Sequence, residues 1–313
     1  MFKKIRQNSK EFGFGQQSSG KSQRIINRDG SFNVQRSGLA VWEKFSIYHW
    51  LTHCSIPVFV LLLMIGYFSS SAFFALIYTF VLGTGQFHGI KTHSVLSNYF
   101  ELFFFSSQTF ATVGYGRINP ATNTASFVAA LDAFSGVTYF AIVTGLIYGR
   151  FSKPLTKVIF SDNAVVAPYN DGKAFMFRLA NKLNHQLLNA EVRIIASIIA
   201  DVNGEQLRQF FELELERKSI VFFSTSWTLV HPIDEKSPFF GFSREDLFLA
   251  EPEIMIQFKV YDEAYSQDTF TNSSYRKEEI VWNARFEKML TITDDGRNMI
   301  NFENFNRLLI LEG

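Results

Sequence analysis

Cysteine is almost missing from this chain. Among 313 residues only Cys54 carries a thiol, so neither an intrachain disulfide nor a cysteine-rich metal site can be built. Also lacking are a glycine-rich phosphate loop, a dinucleotide-binding glycine fingerprint and a cluster with metal-ligand spacing. No acid, base and nucleophile converge by motif, so an enzyme is not expected, nor a cofactor, nor a nucleic-acid partner. The opening residues are polar and basic without an early apolar core, which argues against a cleavable signal peptide. Between positions 54 and 82 charge itself is absent.

Phenylalanine, by contrast, is abundant. The 36 Phe residues bring the aromatic share to 16%, and they are densest from Phe100 to Phe110, as expected where side chains face lipid or other membrane helices. The net charge of +1 hides an asymmetry. Residues 1–41 hold eight Lys/Arg against two Asp/Glu, whereas residues 155–313 hold 17 against 24. A basic opening segment suits a cytoplasmic membrane face. An acidic second half either raises the local cation concentration or is an ordinary solvated surface.

The chain divides by pattern. Residues 1–41 form an N-terminal segment, disordered by composition up to about position 25, with an Asp29-Gly30 turn and a short extended piece after it. Residues 42–53 read as a short interfacial helix, because Trp42, Phe45 and Tyr48 share a face and Trp anchors at membrane interfaces. The other reading is the first turns of the helix that follows. Residues 54–154 hold two apolar spans, about 54–82 and about 121–150, each longer than the roughly 20 residues that cross a bilayer. Between Phe127 and Tyr148 the second span has one charge, Asp132, and an acid at that depth is costly and faces protein or water. Between the spans, residues 99–111 read as a helix too short to cross. Such a helix is allowed at membrane depth only when protein surrounds it or it lines water.

That short helix runs into Thr112-Val113-Gly114-Tyr115-Gly116. A potassium ion must lose its water to pass a narrow pore, and a ring of backbone carbonyls from several copies can replace the lost oxygens. Gly114 and Gly116 tolerate the unusual backbone angles this requires. Thr112 can add a hydroxyl oxygen, while Val113 and Tyr115 can pack outward and hold the strand. Potassium is thus expected at Thr112, Val113, Gly114 and Tyr115. Along the second span Phe140, Thr144 and Tyr148 recur every four residues and share a face. If that face lines the conduit, Tyr148 is the bulky side chain able to close it. Gly136 and Gly145 are candidate bending points or sites of close helix packing. Arg150, Lys153 and Lys157 follow the span, mark this end as cytoplasmic, and could meet anionic lipid headgroups.

Residues 155–313 change character. Asn170-Asp171-Gly172 and Asp295-Gly296 mark hairpins, and Phe211–Glu216 alternates strictly. Ile254, Ile256, Phe258 and Val260 alternate with Met255, Gln257, Lys259 and Tyr261. Many short strands at such spacing predict a β-sandwich. His231 is expected to make a structural contact with Asp234 rather than to act in catalysis.

With these residues in view, the chain resembles the inward-rectifier potassium channel (Kir) family, its bacterial branch in particular. The motifs are Arg28–Val34, Gln108–Gly116, the Gly145-to-Pro154 exit, and His231-Pro232-Ile233-Asp234-Glu235-Lys236-Ser237-Pro238. Animal members usually carry a cysteine pair around the pore, which this chain lacks. The resemblance implies two transmembrane helices plus a re-entrant pore helix, and a cytoplasmic immunoglobulin-like β-sandwich. It implies a homotetramer around a central pore, a slide helix at 42–53, a constriction at Tyr148, and anionic lipid near Arg150 and Lys153. It also implies a multi-pass protein of the bacterial inner membrane with both termini cytoplasmic.

Three departures stand out. Gln108 holds a pore-helix position where the family often has Glu, which removes a filter-bracing ion pair. Arg117 follows the filter where other potassium channels often have Asp. Phe140 stands where strong rectifiers carry an acid, while Asp132 lies further outward and is placed behind the filter with Gln108 as its support. The loop after Tyr261, residues 262–266, should form a constriction of the cytoplasmic pore but lacks the usual glycine. Two further functions stand as alternatives to a channel. A potassium transporter subunit would resemble four fused pore units, and a non-conducting membrane-anchored β-domain would not need Thr112–Gly116.

Overall fold

The computed structural model describes residues 24–34, 38, 46–91, 94–154, 157–183, 185–202, 205–292, 296 and 298–311. The chain separates into two compact units, 37–153 and the pair of segments 1–36 and 154–313.

The membrane unit opens with α1, Ile47–His53, capped by the Ser46 hydroxyl on the His49 amide. Trp42 and Phe45, assigned to the interfacial face, lie outside the described residues. Next comes α2, Ile56–Leu76, with Pro57 in its first turn, where a missing N–H costs nothing. It continues as a π-helical stretch, Ile77–Leu82, which Gly83 ends at φ +83°. A short ladder pairs β1, Phe87–His88, with β2, Asn119–Pro120. Between its strands lies α3, Val95–Phe110. This helix starts four residues earlier than the apolar pattern indicates. Its buried stripe is Asn98, Leu102, Ser106 and Phe110, so half of the inward positions are polar and the hydrophobic signal at its start is weak. Then α4, Asn123–Phe151, runs unbroken for 29 residues from a Thr122 cap.

The second unit is a β-sandwich. Its strands in order are β3, Val158–Phe160; β4, Ala164–Tyr169; β5, Gly172–Asn181; β6, Leu187–Val202; β7, Glu205–Glu212; β8, Ser219–Phe223; and β9, Ser226–Pro232. After the short helix α5, Arg244–Leu249, come β10, Glu253–Asp262; β11, Gln267–Arg276; and β12, Ile280–Trp282. One sheet is ordered β11-β10-β6-β7, with β8 also on β6, and the other β12-β4-β5-β3, with β9 also on β5. Phe175, Phe177 and Leu179 of one sheet share a core with Ile194, Ile254, Ile256 and Phe258 of the other. Two small ladders, 284–286 with 308–310 and 290–292 with 298–300, follow.

Local chemistry sets the turns. Tyr169 pairs with Gly172, so Asn170 and Asp171 form the hairpin tip and Asn170 takes the left-handed conformation. At the β10–β11 turn Ser266 takes φ +53°, a position glycine would occupy without strain. Met255 points away from the main core but is also buried, because Ile26 and Phe210 cover it. The 24–34 segment is held there by its own amides, since Ile25 and Ile26 both donate to the buried Glu253 carboxylate.

The expected His231–Asp234 contact is corrected. His231 is buried, with Nδ1 against the Glu214 carbonyl at 2.5 Å and Nε2 against Ser237 Oγ at 2.9 Å. The Asp234 carboxylate instead accepts from the Lys236 amide at 2.9 Å. Burial pulls the imidazole below its ordinary pKa, despite the Glu214 carbonyl working the other way.

Candidate functional site

The α3 helix ends at Phe110 with Ala111 as its cap, and the five residues after the cap leave regular structure. Thr112, Gly114 and Gly116 have φ of +59°, +58° and +81°, while Val113 and Tyr115 do not. In an ordinary strand successive carbonyls face opposite ways. Alternating the backbone hand at every second residue turns them towards one side, as a row of ion ligands requires. For Thr112, a β-branched residue, that conformation is strained and persists only where the surroundings impose it. The inner end is pinned to the helix. The Thr112 amide donates to the Thr109 carbonyl at 3.0 Å, and the Val113 and Gly114 amides both reach the Gln108 carbonyl, at 2.8 and 3.4 Å. The role of Gln108 visible in the chain is thus a backbone one.

Around the C-terminal half of α3 stands a layer of hydroxylated aromatics. Tyr67 meets both the carbonyl and the hydroxyl of Ser107, at 2.8 and 2.7 Å. Tyr78 donates to Asp132 Oδ2 at 2.8 Å, and both residues are wholly buried. The buried Ser106 hydroxyl faces the same carboxylate, although neither it nor Oδ1 has a partner at hydrogen-bond distance. Phe110 is packed by the rings of Tyr67 and Tyr139, at 5.6 and 5.5 Å between centroids. Gly136 lies directly beneath the Phe110 carbonyl, where any Cβ would overlap it. Close packing accounts for this glycine, and α4 passes through it without a break. Among the described residues, its own stretch of helix aside, nothing lies within 4 Å of a Cβ added at Gly145.

Val113 and Tyr115 are 52% and 78% exposed within the single chain. The outward packing expected of them is therefore left incomplete by the described residues of this chain. Phe140, Thr144 and Tyr148 are likewise exposed along α4, with Tyr148 at 74%. Thr144 Oγ1 returns to the Phe140 carbonyl at 2.8 Å, leaving its lone pairs on that face.

The basic residues have structural partners. Arg150 donates to the carbonyls of Cys54 and Leu51, and its guanidinium lies over the Phe59 ring at 5.2 Å. Lys153 Nζ donates to Thr52 Oγ1 at 3.0 Å and sits 3.1–3.2 Å from both ring nitrogens of His53. These contacts tie the end of α1 to the end of α4. Nearby the Tyr48 hydroxyl rests on Gly149. Lys157 belongs to the β-rich unit, where it is exposed and its carbonyl accepts from the Lys182 amide at 3.0 Å.

Comparison with known proteins covers both units. Residues 55–153 match the model described as an ion channel, and residues 158–312 match the inward rectifier potassium channel C-terminal domain. The inward rectifier potassium channel Kirbac3.1 of Paramagnetospirillum magnetotacticum is 33% identical over 298 residues, 94% of this chain and 98% of that one. The chain belongs to the inward rectifier potassium channel family. Relatives extend to animals: the bovine ATP-sensitive inward rectifier potassium channel 12 is 27% identical over 91% of this chain and 71% of its own. The nematode inward rectifier potassium channel irk-1, from Caenorhabditis elegans, is 24% identical over 67% of this chain and 41% of its own.

As a Kir-family member the protein is a membrane ion-transport protein of the potassium-channel type, not an enzyme, and its permeant ion is potassium. Among the described residues Ile56–Leu82 and Asn123–Phe151 are the two candidate membrane spans, and the β-rich domain follows them. Pattern reading missed Tyr67, Tyr78 and Tyr139 as partners of Ser107, Asp132 and Phe110. The available signal was a hydroxyl on an aromatic ring inside an apolar helix, a group that needs a partner when buried.

Proposed function

We propose that four copies of the chain form a homotetrameric pore in which Thr112–Gly116 of each copy supply the carbonyl ligands of passing potassium. The alternation of backbone hand at Thr112, Gly114 and Gly116 carries this reading. The exposure of Val113 and Tyr115 supports the assembly, since only neighbouring copies remain to pack them. Asp132 and Gln108 support the filter, Asp132 through Tyr78 and Gln108 through its carbonyl.

Phe140, Thr144 and Tyr148 line the inner conduit in this reading, with Tyr148 as the closing ring and Gly145 as the point where α4 can bend. Gly136 serves packing rather than bending. Residues 42–53 slide along the inner leaflet, 54–154 form the pore domain, and 155–313 form the cytoplasmic domain. Both termini face the cytoplasm, and the host membrane is the bacterial inner membrane.

Arg150 and Lys153 connect lipid to gate. Their contacts with Leu51, Thr52, His53 and Cys54 join α1 to the end of the gating helix. An anionic headgroup drawn to Arg150 and Lys153 would compete for the same donors and change that link. Two measurements test the proposal together. Light scattering of the solubilised protein should give the mass of four chains. Barium-blocked rubidium uptake into liposomes should change with the fraction of anionic lipid, and that response should flatten in the Arg150→Gln/Lys153→Gln variant. A monomeric mass with no uptake in neutral or anionic lipid overturns the pore, and an unaltered lipid titration overturns the lipid link.

A further inference from the structure

We propose that Glu101 sets the electrostatics of the outer pore mouth by neutralising Arg117, an inference that rests on the four-copy pore above. Arg117 directly follows Gly116, so its charge stands one residue beyond the last filter glycine. Its backbone is fixed. The β1–β2 ladder pairs His88 with Asn119, and Ala121 donates to the Gln86 carbonyl at 2.8 Å. Gly89, at φ +85°, lies so close to the Arg117 carbonyl that a Cβ there would overlap it. The Arg117 side chain then turns back to α3, where Nη1 meets Glu101 Oε2 at 3.1 Å and the Gly89 carbonyl at 3.4 Å. Glu101 is the more sheltered partner, with its side chain 16% exposed against 50% for Arg117.

Charge arithmetic gives the consequence. Four uncompensated guanidinium groups around the entrance would repel potassium and lower its local concentration. With Glu101 in place each copy contributes no net charge from this pair. The pair is therefore a specificity device for entry more than a source of stability, since a partly exposed ion pair adds little to folding. It also differs from a brace at the Gln108 position, because it acts at the outer end of the filter and through the field rather than through the backbone.

The test is inward single-channel current from the full-length tetramer in planar bilayers, at about 0.01 M and about 1 M ionic strength, where the screening length is roughly 30 Å and 3 Å. At low salt Glu101→Gln should cut inward current at least about threefold, within the range that steering supplies. Arg117→Gln should match or exceed the unaltered protein, and Glu101→Gln/Arg117→Gln should return to it. At high salt the four proteins should converge. Outward current through the same channels serves as the internal control and should change less. The proposal is overturned if Arg117→Gln lowers current as Glu101→Gln does, or if the double variant stays as low as Glu101→Gln, because either result means a structural contact. It is also overturned if Glu101→Gln conducts normally at low salt. Should Glu101→Gln not assemble, Arg117→Gln alone decides by the direction of its change. Absence of potassium current in the unaltered protein would instead overturn the pore itself.

Discussion

The two units bury their apolar residues in opposite ways. In the β-sandwich, Phe175, Phe177, Ile194, Ile256 and Phe258 are all closed inside a core the chain builds alone. In the membrane unit, Val113, Tyr115, Phe134, Phe140 and Tyr148 all stand exposed. The few fully buried groups there include a hydroxyl–carboxylate pair, Tyr78 with Asp132. One unit is therefore finished by folding. The other leaves these side chains uncovered within the single chain, and its buried polar contacts gather around α3 and α4.

That contrast can be broken from both sides. The largest effect on stability is expected in the sandwich. Phe258→Ala removes a ring that packs on Phe223 at 5.3 Å between centroids. It should cost about 3–5 kcal/mol, read as a lower denaturant midpoint. Second is Tyr78→Phe, which leaves the Asp132 carboxylate buried without its donor and should cost about 1–3 kcal/mol. Its signature is loss of potassium-over-sodium selectivity in flux before any loss of tetramer. If selectivity is kept, the layer behind the filter is packing alone. Third, Tyr148→Ala sits on an exposed face and should leave the denaturation midpoint within about 0.5 kcal/mol. It should nevertheless raise basal rubidium uptake, and unchanged uptake would move the closure away from α4's end. The smallest effect is pH-linked. His231 is held below its ordinary pKa, so the unfolded chain binds the proton more readily than the folded one. Sandwich stability should be complete above about pH 6.5 and fall as pH drops from there through the folded pKa. A His231→Gln variant, whose amide can keep a bond to Ser237, should lose that part of the slope in acid unfolding curves.

How much of this was legible follows the same divide. The uncharged first span and the strand alternation of Ile254–Val260 are local patterns, and helix and strand stand where they indicate. What pattern missed is contact at long range. Asp132 stood out as a costly acid, but its partner lies 54 positions earlier, on another helix. Glu101 and Arg117 are separated by the rest of α3 and by residues 112–116, whose path no periodicity describes. Arg150 and Lys153 read as free basic residues, while the folded chain commits them to carbonyl and hydroxyl groups about 100 positions away. The start of α3 was misplaced because Asn98 and Ser106 occupy buried positions that an apolar template leaves to solvent. His231 found Ser237 rather than Asp234 because the turn at 234–236 uses the Asp234 carboxylate for its own backbone.

The most direct test of the central claim is potassium-selective flux in the unaltered protein and in Gly114→Ala. Among the described residues, its chain neighbours aside, nothing lies within 4 Å of the added methyl group, so the substitution strikes the backbone conformation at φ +58° and, in the proposed assembly, the carbonyl ring. The account predicts rubidium uptake that potassium competes, sodium does not and barium blocks, and its complete loss in Gly114→Ala tetramers of normal mass. Selective uptake persisting in that variant would contradict the assignment of Thr112–Gly116 as the ion ligands.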